Sequence, residues 1–297
     1  MTSIKNKLFV QYFLVIILSF TSSCVSANLI DIGKKNRMWV EQCGTGKPAI
    51  ILMNGGGDTI DSDWKKIIPK LCKITSVVAY DRPGQIKSPG KKDLVTPRTA
   101  KDVVDELRRL LSILQIKPPY VLVVHSISGL YGQYYARNFP KEIAGLIMIN
   151  GNLVSEQFPE TIKWLSPKML NFIKLENSKH IKKLKMQLNE TVRNLSDNPT
   201  TKQLAQIEYS LEVLGKKESA MQVMNSPPLS KNLTLAVLTS GKFDVETRIQ
   251  KEFSEQIPGA IFKEFPNSSH YIQNDQPEAV IGIINEVIAK VRKAPIK

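Results

Sequence analysis

The stretch that most constrains the fold is residues 120–132, YVLVVHSISGLYG. It opens with an unbroken apolar run rich in β-branched side chains, the pattern of a strand buried on both faces. Past Ser126 the period changes: Gly129, Leu130, Tyr131, Tyr134 and Ala136 recur at helical spacing up to Pro140. A buried strand that becomes a helix this abruptly places Ser126 on a sharp, strained turn. Its hydroxyl then stands at the carboxyl end of a central strand, where open α/β sheets bind ligands. The amides that follow face outward from a helix N-terminus, suited to stabilising negative charge.

This strand–serine–helix arrangement resembles the nucleophile elbow of the α/β-hydrolase family, and the resemblance runs from about residue 30 to the C-terminus. His125 before the serine and Gly129 after Ser128 match the family's H-S-x-x-G form. Val124 and Ser128 stand where the fuller G-x-S-x-G pattern has glycines. Those glycines relieve crowding between strand and helix backbones, so Val124 requires a small neighbour. The resemblance implies an α/β fold: a mostly parallel eight-stranded sheet flanked by helices, with a helical cap inserted after strand 6.

Serine is a weak nucleophile until a base takes its proton, and the base needs an acid to orient it. The chain has three histidines. His125 adjoins Ser126 on the strand, so its side chain points to the opposite face. His180 lies among lysines and reads as surface. His270 follows the final strand, in a polar loop ahead of a helix, and is the one placed to reach the sheet edge that carries Ser126. The acid falls between serine and histidine in the family's chain order. The end of strand 6 offers only Asn150 and Asn152, whereas Gly241-Lys242-Phe243-Asp244 after the next strand resembles the family's G-x-x-D. Asp244 is therefore the expected acid, with Glu246 as fallback.

The run 54–58, NGGGD, follows an apolar strand at residues 49–53. Glycines there let the backbone approach a ligand and aim its amides inward. No Walker lysine or dinucleotide fingerprint accompanies them, which argues against nucleotide binding. The run resembles the family's oxyanion loop, with Asn54 where histidine is common. The resemblance implies an oxyanion hole from the amides of Gly56 and Ile127, with Gly57 as the alternative to Gly56. Asp81-Arg82-Pro83-Gly84 resembles the family's D-R-x-G turn, and both charged residues read as structural.

Elsewhere the pattern predicts a hairpin over 29–33 and 37–43, a helix over 63–71 and a strand over 76–80. A long helix capped by Thr96 with Pro97 at its first position follows, and strands over 143–149, 233–239 and 260–265. A closing helix spans 276–292. Between 152 and 231 the β pattern stops, and helical segments alternate with breaks such as Asp197-Asn198-Pro199 and Ser226-Pro227-Pro228. This is the expected cap, with residues 28–151 and 232–297 as the hydrolase core. Trp164, Met169, Leu170 and Phe172 fall in it as cap core or pocket lining.

Residues 1–27 read as an export signal: Lys5 and Lys7 precede an apolar run over 8–20 and then small residues. Val25-Ser26-Ala27 fits an ordinary cleavage site, and Thr21-Ser22-Ser23-Cys24 a lipobox with Cys24 as the lipidated residue. Either route leaves Cys43 and Cys72, the pair expected to form one disulfide in an oxidising compartment. The expected location is periplasmic, membrane-anchored or secreted. The net charge of +14 is spread along the chain, a solvated basic surface able to attract anionic membranes. No zinc-finger spacing or basic–aromatic array points to nucleic acid.

Taken together these readings give an exported serine hydrolase, cleaving an ester, thioester or amide of a small-molecule acyl substrate through an acyl-enzyme on Ser126. The chemistry requires no metal and no organic cofactor. Two alternatives stand beside it: C–C bond hydrolase, aminopeptidase or lactonase chemistry on the same fold, and a catalytically silent binding protein, motivated by Val124 and Asn54.

Overall fold

A computed structural model describes residues 25–34, 36–85, 87–88, 96–154, 179–195, 200–241 and 244–294. The export-signal region with Cys24, the four apolar cap residues Trp164, Met169, Leu170 and Phe172, and the side chains of His180 and Asp244 lie outside them.

Eight strands form one sheet: β1 (Ser26–Asp31), β2 (Arg37–Cys43), β3 (Ala49–Met53), β4 (Val77–Asp81), β5 (Tyr120–His125), β6 (Ile143–Ile149), β7 (Thr234–Thr239) and β8 (Ile261–Glu264). Their spatial order is β1-β2-β4-β3-β5-β6-β7-β8. The β1–β2 hairpin joins antiparallel to β4, and from β4 to β8 every pairing is parallel. The helices are α1 (Ile60–Asp63), α2 (Ile68–Leu71), α3 (Ala100–Ile113), α4 (Ser128–Asn138), α5 (Lys179–Arg193), α6 (Thr201–Met224), α7 (Asp244–Glu255), α8 (Ile272–Asp275) and α9 (Pro277–Lys293). Between β6 and β7 the described chain outside its turns is helical, as α5 and α6.

Period-two alternation divides the core in two. Tyr120, Leu122 and Val124 of β5 face a layer with Val103, Leu107 and Leu110 of α3 and Leu130, Tyr131 and Tyr135 of α4. Val121 and Val123 face the other layer, with Trp64, Leu71 and the α9 residues Val280, Ile284 and Val287. Because β5 lies inside the parallel sheet and is fully buried, both its faces are apolar, as the run 120–124 anticipates. Cys43 at the end of β2 and Cys72 just past α2 form a disulfide, with their Cα atoms 5.3 Å apart.

Two local expectations are corrected. The long helix starts at Ala100, capped by Thr99 rather than Thr96. Thr99 and Asp102 form a reciprocal capping box, the Thr99 side chain accepting from Asp102 N and the Asp102 carboxylate from Thr99 N. The expected helix 63–71 is two short ones, α1 and α2, separated by a turn. Pro69 can occupy only the first turn of a helix, since it lacks an N–H and its ring excludes the preceding turn's carbonyl.

The small neighbour that Val124 requires is Gly132. A methyl group at Gly132 would come within 2.9 Å of Val124 Cγ1 and 3.0 Å of Leu146 Cδ1. Gly132→Leu is therefore expected to lower stability by about 1–3 kcal/mol, read as a lower urea midpoint, and Val124→Ala in the same chain to recover part of the loss.

Candidate active site

Ser126 sits between β5 and α4 with φ +53°, the left-handed region that an L-residue enters at a cost of about 1–3 kcal/mol. The turn is held from three sides. The Ser126 amide donates to Ile149 O at 3.2 Å, and its carbonyl accepts from Gly129 N at 2.9 Å and Asn152 N at 2.7 Å. Beside it the glycine run divides its amides between tasks. Gly55 N donates to Asp63 Oδ2 at 2.7 Å and Gly57 N to Glu212 Oε2 at 3.0 Å. Among the described residues the amides of Gly56 and Ile127 donate to nothing. A methyl placed on Gly56 would stand 3.5 Å from Ile127 Cγ2, so these two unengaged amides belong to adjoining backbone segments.

His270 follows β8 and is exposed. It forms no hydrogen bond with Ser126 in this structure, but its backbone is firmly held. His270 O accepts from His125 Nε2 at 3.2 Å and from Asn150 Nδ2 at 3.2 Å. Asn150 Oδ1 in turn accepts from Ser240 N at 2.9 Å. The ends of β5, β6 and β7 are thereby tied to the histidine loop. The residue as a whole is open to solvent, but the protein packed against its ring, then the nearby charge of His125, lower its pKa to about 4, with Lys216 adding to and Asp63 opposing the effect. The backbone of Asp244 begins α7 after β7, and Glu246 is exposed on the same helix.

His125 leaves β5 on the face of Val121 and Val123, beside Trp64, as strand alternation predicts, but the histidine loop meets it there. It is wholly buried, with Nδ1 3.0 Å from Asp63 Oδ2 and its ring centroid 4.8 Å from that of His270. The β8–α8 loop lies over the face that carries His125. Asp58, Asp63 and His125 place one donor atom each within 4.8 Å of one another, the one cation-sized acidic–histidine cluster among the described residues. Asp63 there already accepts from Gly55 N and Gln273 Nε2, and Asp58 from Tyr271 and Ser62. The cluster thus serves as a hydrogen-bonded ion network. Burial, then the charge of Asp63, raises the Asp58 pKa to about 6.

Underneath lies Arg82, fully buried. It donates to Asn54 O at 2.8 Å and Gly55 O at 2.6 Å, approaches Ser128 Oγ at 3.4 Å, and pairs with the equally buried Glu212 of α6. Burial works against its charge, but Glu212 outweighs it and the guanidinium stays protonated. Ser128, at the position of the missing elbow glycine, donates to Asn54 O. Asn54, at the position of the missing histidine, donates to Asp81 Oδ1 at 3.0 Å and accepts from Trp64 Nε1 at 2.7 Å. Asp81 also accepts from Ile60 N at 2.7 Å, so both residues of the D-R-x-G turn brace the glycine run.

A family model described as alpha/beta hydrolase fold matches residues 48–277. The chain belongs to the α/β-hydrolase fold family. An AB hydrolase superfamily protein of Gibberella zeae is 21% identical, over 92% of this chain and 97% of its own. Among solved structures, the chain resembles one from a study of carboxylesterases of the thaumarchaeon Nitrososphaera gargenis. That likeness has TM-score 0.60 and 20% identity, covering 90% of this chain and 99% of the other. A thermophilic esterase from Thermogutta terrifontis has TM-score 0.59 and 20% identity, with 90% and 99% coverage. Among the described residues, no helix is long and apolar enough to cross a membrane.

Sequence reasoning missed Glu212, which carries no motif and lies in the stretch read as cap. Its i−4 neighbour Glu208, paired with Arg98 at 2.9 Å, was the available signal: two carboxylates on one face of an otherwise mixed helix. Removing one partner of a buried pair leaves an uncompensated charge. Arg82→Met is accordingly expected to cost about 3–5 kcal/mol in denaturant unfolding, and Arg82→Met with Glu212→Leu to cost less than Arg82→Met alone.

Proposed function

We propose that this protein is a serine hydrolase that cleaves an ester, thioester or amide of a small acyl substrate. Ser126 is the nucleophile, His270 the general base and then acid, and Asp244 the group that orients the imidazole. The observation that carries the reading is the strained turn at Ser126 together with two amides in adjoining segments, those of Ile127 and Gly56, that donate to nothing among the described residues. Its neighbours Gly55 and Gly57 have given their amides to carboxylates, which favours Gly56 over Gly57 as the second oxyanion donor. Each such donor is worth about 3 kcal/mol in the transition state. The likeness to carboxylesterase and esterase structures points the same way.

Attack by Ser126 Oγ on the acyl carbon transfers its proton to His270 and places the carbonyl oxygen's charge at the two amides. The leaving group departs with that proton, and water activated by the same imidazole releases the acid. In this reading residues 152–231, of which the described part is helical, are the cap that governs which acyl group enters. We further propose export, supported by the N-terminal composition and by the Cys43–Cys72 disulfide, a bond that persists in oxidising compartments. The spread of basic residues favours residence near anionic membrane surfaces, with or without a lipid on Cys24. The silent binding-protein reading loses its motivation, since Val124 has its glycine and Asn54 its partners.

A fluorophosphonate probe is expected to label the wild-type chain and Ser128→Ala but not Ser126→Ala; labelling of the folded Ser126→Ala variant would overturn the assignment. The pH profile follows from the lowered His270 pKa. The ring is neutral and competent above about 4 and protonated below it, so kcat/KM is expected to hold as pH falls past 6.5 and to decline near 4. Hydrolysis of a p-nitrophenyl ester across a pH series, followed by released p-nitrophenol, measures that limb.

A further inference from the structure

His125 is a buried ring with two hydrogen-bonding neighbours, and both are acceptors. Nδ1 faces the Asp63 carboxylate at 3.0 Å, and Nε2 faces the backbone carbonyl of His270 at 3.2 Å. A neutral imidazole has one N–H and one lone pair, so in either tautomer it would aim a lone pair at an oxygen lone pair. Only the doubly protonated ring satisfies both contacts. The carboxylate that balances it is fixed: Asp63 is fully buried and also accepts from Gly55 N at 2.7 Å and Gln273 Nε2 at 3.2 Å.

We propose that His125 is a standing imidazolium and a positioning residue for His270, gripping its backbone carbonyl while presenting a positive charge to its ring. The ring centroids are 4.8 Å apart, so the charge opposes proton uptake by His270 and keeps it available as a base in acid. Burial works against a charge on His125, but the hydrogen bond and charge of Asp63, joined by Asp58, raise its pKa. Among the described residues, the charged and titratable groups around the two rings are Asp63 of α1, Asp58 before it, Lys216 of α6 and Tyr271 beside His270; Asp244, whose side chain lies outside them, is the further group that the hydrolase reading brings to His270. Of these, Lys216 acts on His270 in the same sense as His125, and Asp63 opposes it. The base role of His270 rests on the hydrolase reading; the protonation state of His125 does not.

Nitrogen-15 NMR of the full-length chain tests this without any substrate, since three histidines give an assignable spectrum with His125→Gln and His270→Gln as references. One ring is expected to keep both nitrogens protonated at pH 8 and to vanish from the spectrum of His125→Gln. In Asp63→Asn, which retains an acceptor oxygen and side-chain volume, that ring is expected to become neutral. In His125→Gln the His270 midpoint is expected to rise by about one pH unit or more. A singly protonated His125 at neutral pH, or a His270 midpoint unmoved in folded His125→Gln, overturns the proposal. If His125→Gln does not fold, the Asp63→Asn spectrum decides the charge state on its own. Should the protein hydrolyse nothing, the hydrolase reading falls while these titrations still stand or fail by themselves.

Discussion

The geometry around Ser126 depends on one buried cation. A guanidinium with no access to water must give its N–H groups to oxygen acceptors or raise the energy of the whole fold. Arg82 does so by drawing in the carbonyls of Asn54 and Gly55 and the carboxylate of Glu212. Those demands fix where the glycine run lies against the elbow. The backbone approaches so closely there that a side chain at Gly55 would collide with Asp58 and His125, leaving glycine as the residue that fits. Strain at Ser126, unengaged amides at Gly56 and Ile127, and the ion network behind them all sit on this support.

The outer form of this arrangement was legible in the chain. Unbroken apolar runs mark β3, β5 and β6 as buried parallel strands, and the change of period after His125 locates the turn within a residue. The hairpin at the sheet edge follows from its turn signals. What stayed illegible depends on partners distant in sequence. Arg82 is readable as structural from its turn, yet the acid that balances it stands 130 residues later on a helix with no motif. Likewise Asn150, passed over for lacking a carboxylate, proves to join the β7 end to the histidine loop. His125 looked sidelined because strand alternation predicts only which face a side chain leaves from, not which loop folds over that face.

The departures from the family pattern share a physical theme. Where a glycine or histidine is usual, this chain places Ser128 and Asn54, and each new polar group finds a partner within the same network. Val124 adds bulk on the strand, and Gly132 removes it one turn along α4. A close-packed interior tolerates such exchanges only when volume and hydrogen bonds are both restored locally.

The long helix α6 touches the core at both charge and backbone. Besides Glu212 on Arg82 and Gly57, its Ser219 Oγ accepts from Ala100 N at 2.9 Å and its Gln222 Oε1 from Lys101 N at 2.9 Å, occupying the free amides at the start of α3. Leu211 O accepts from Arg98 N at 3.2 Å, and Gly215 lies flat against the Arg98 backbone. Such a helix is a lintel and not a door: swinging it aside would strand a buried cation and leave two amides in the first turn of α3 without acceptors at once.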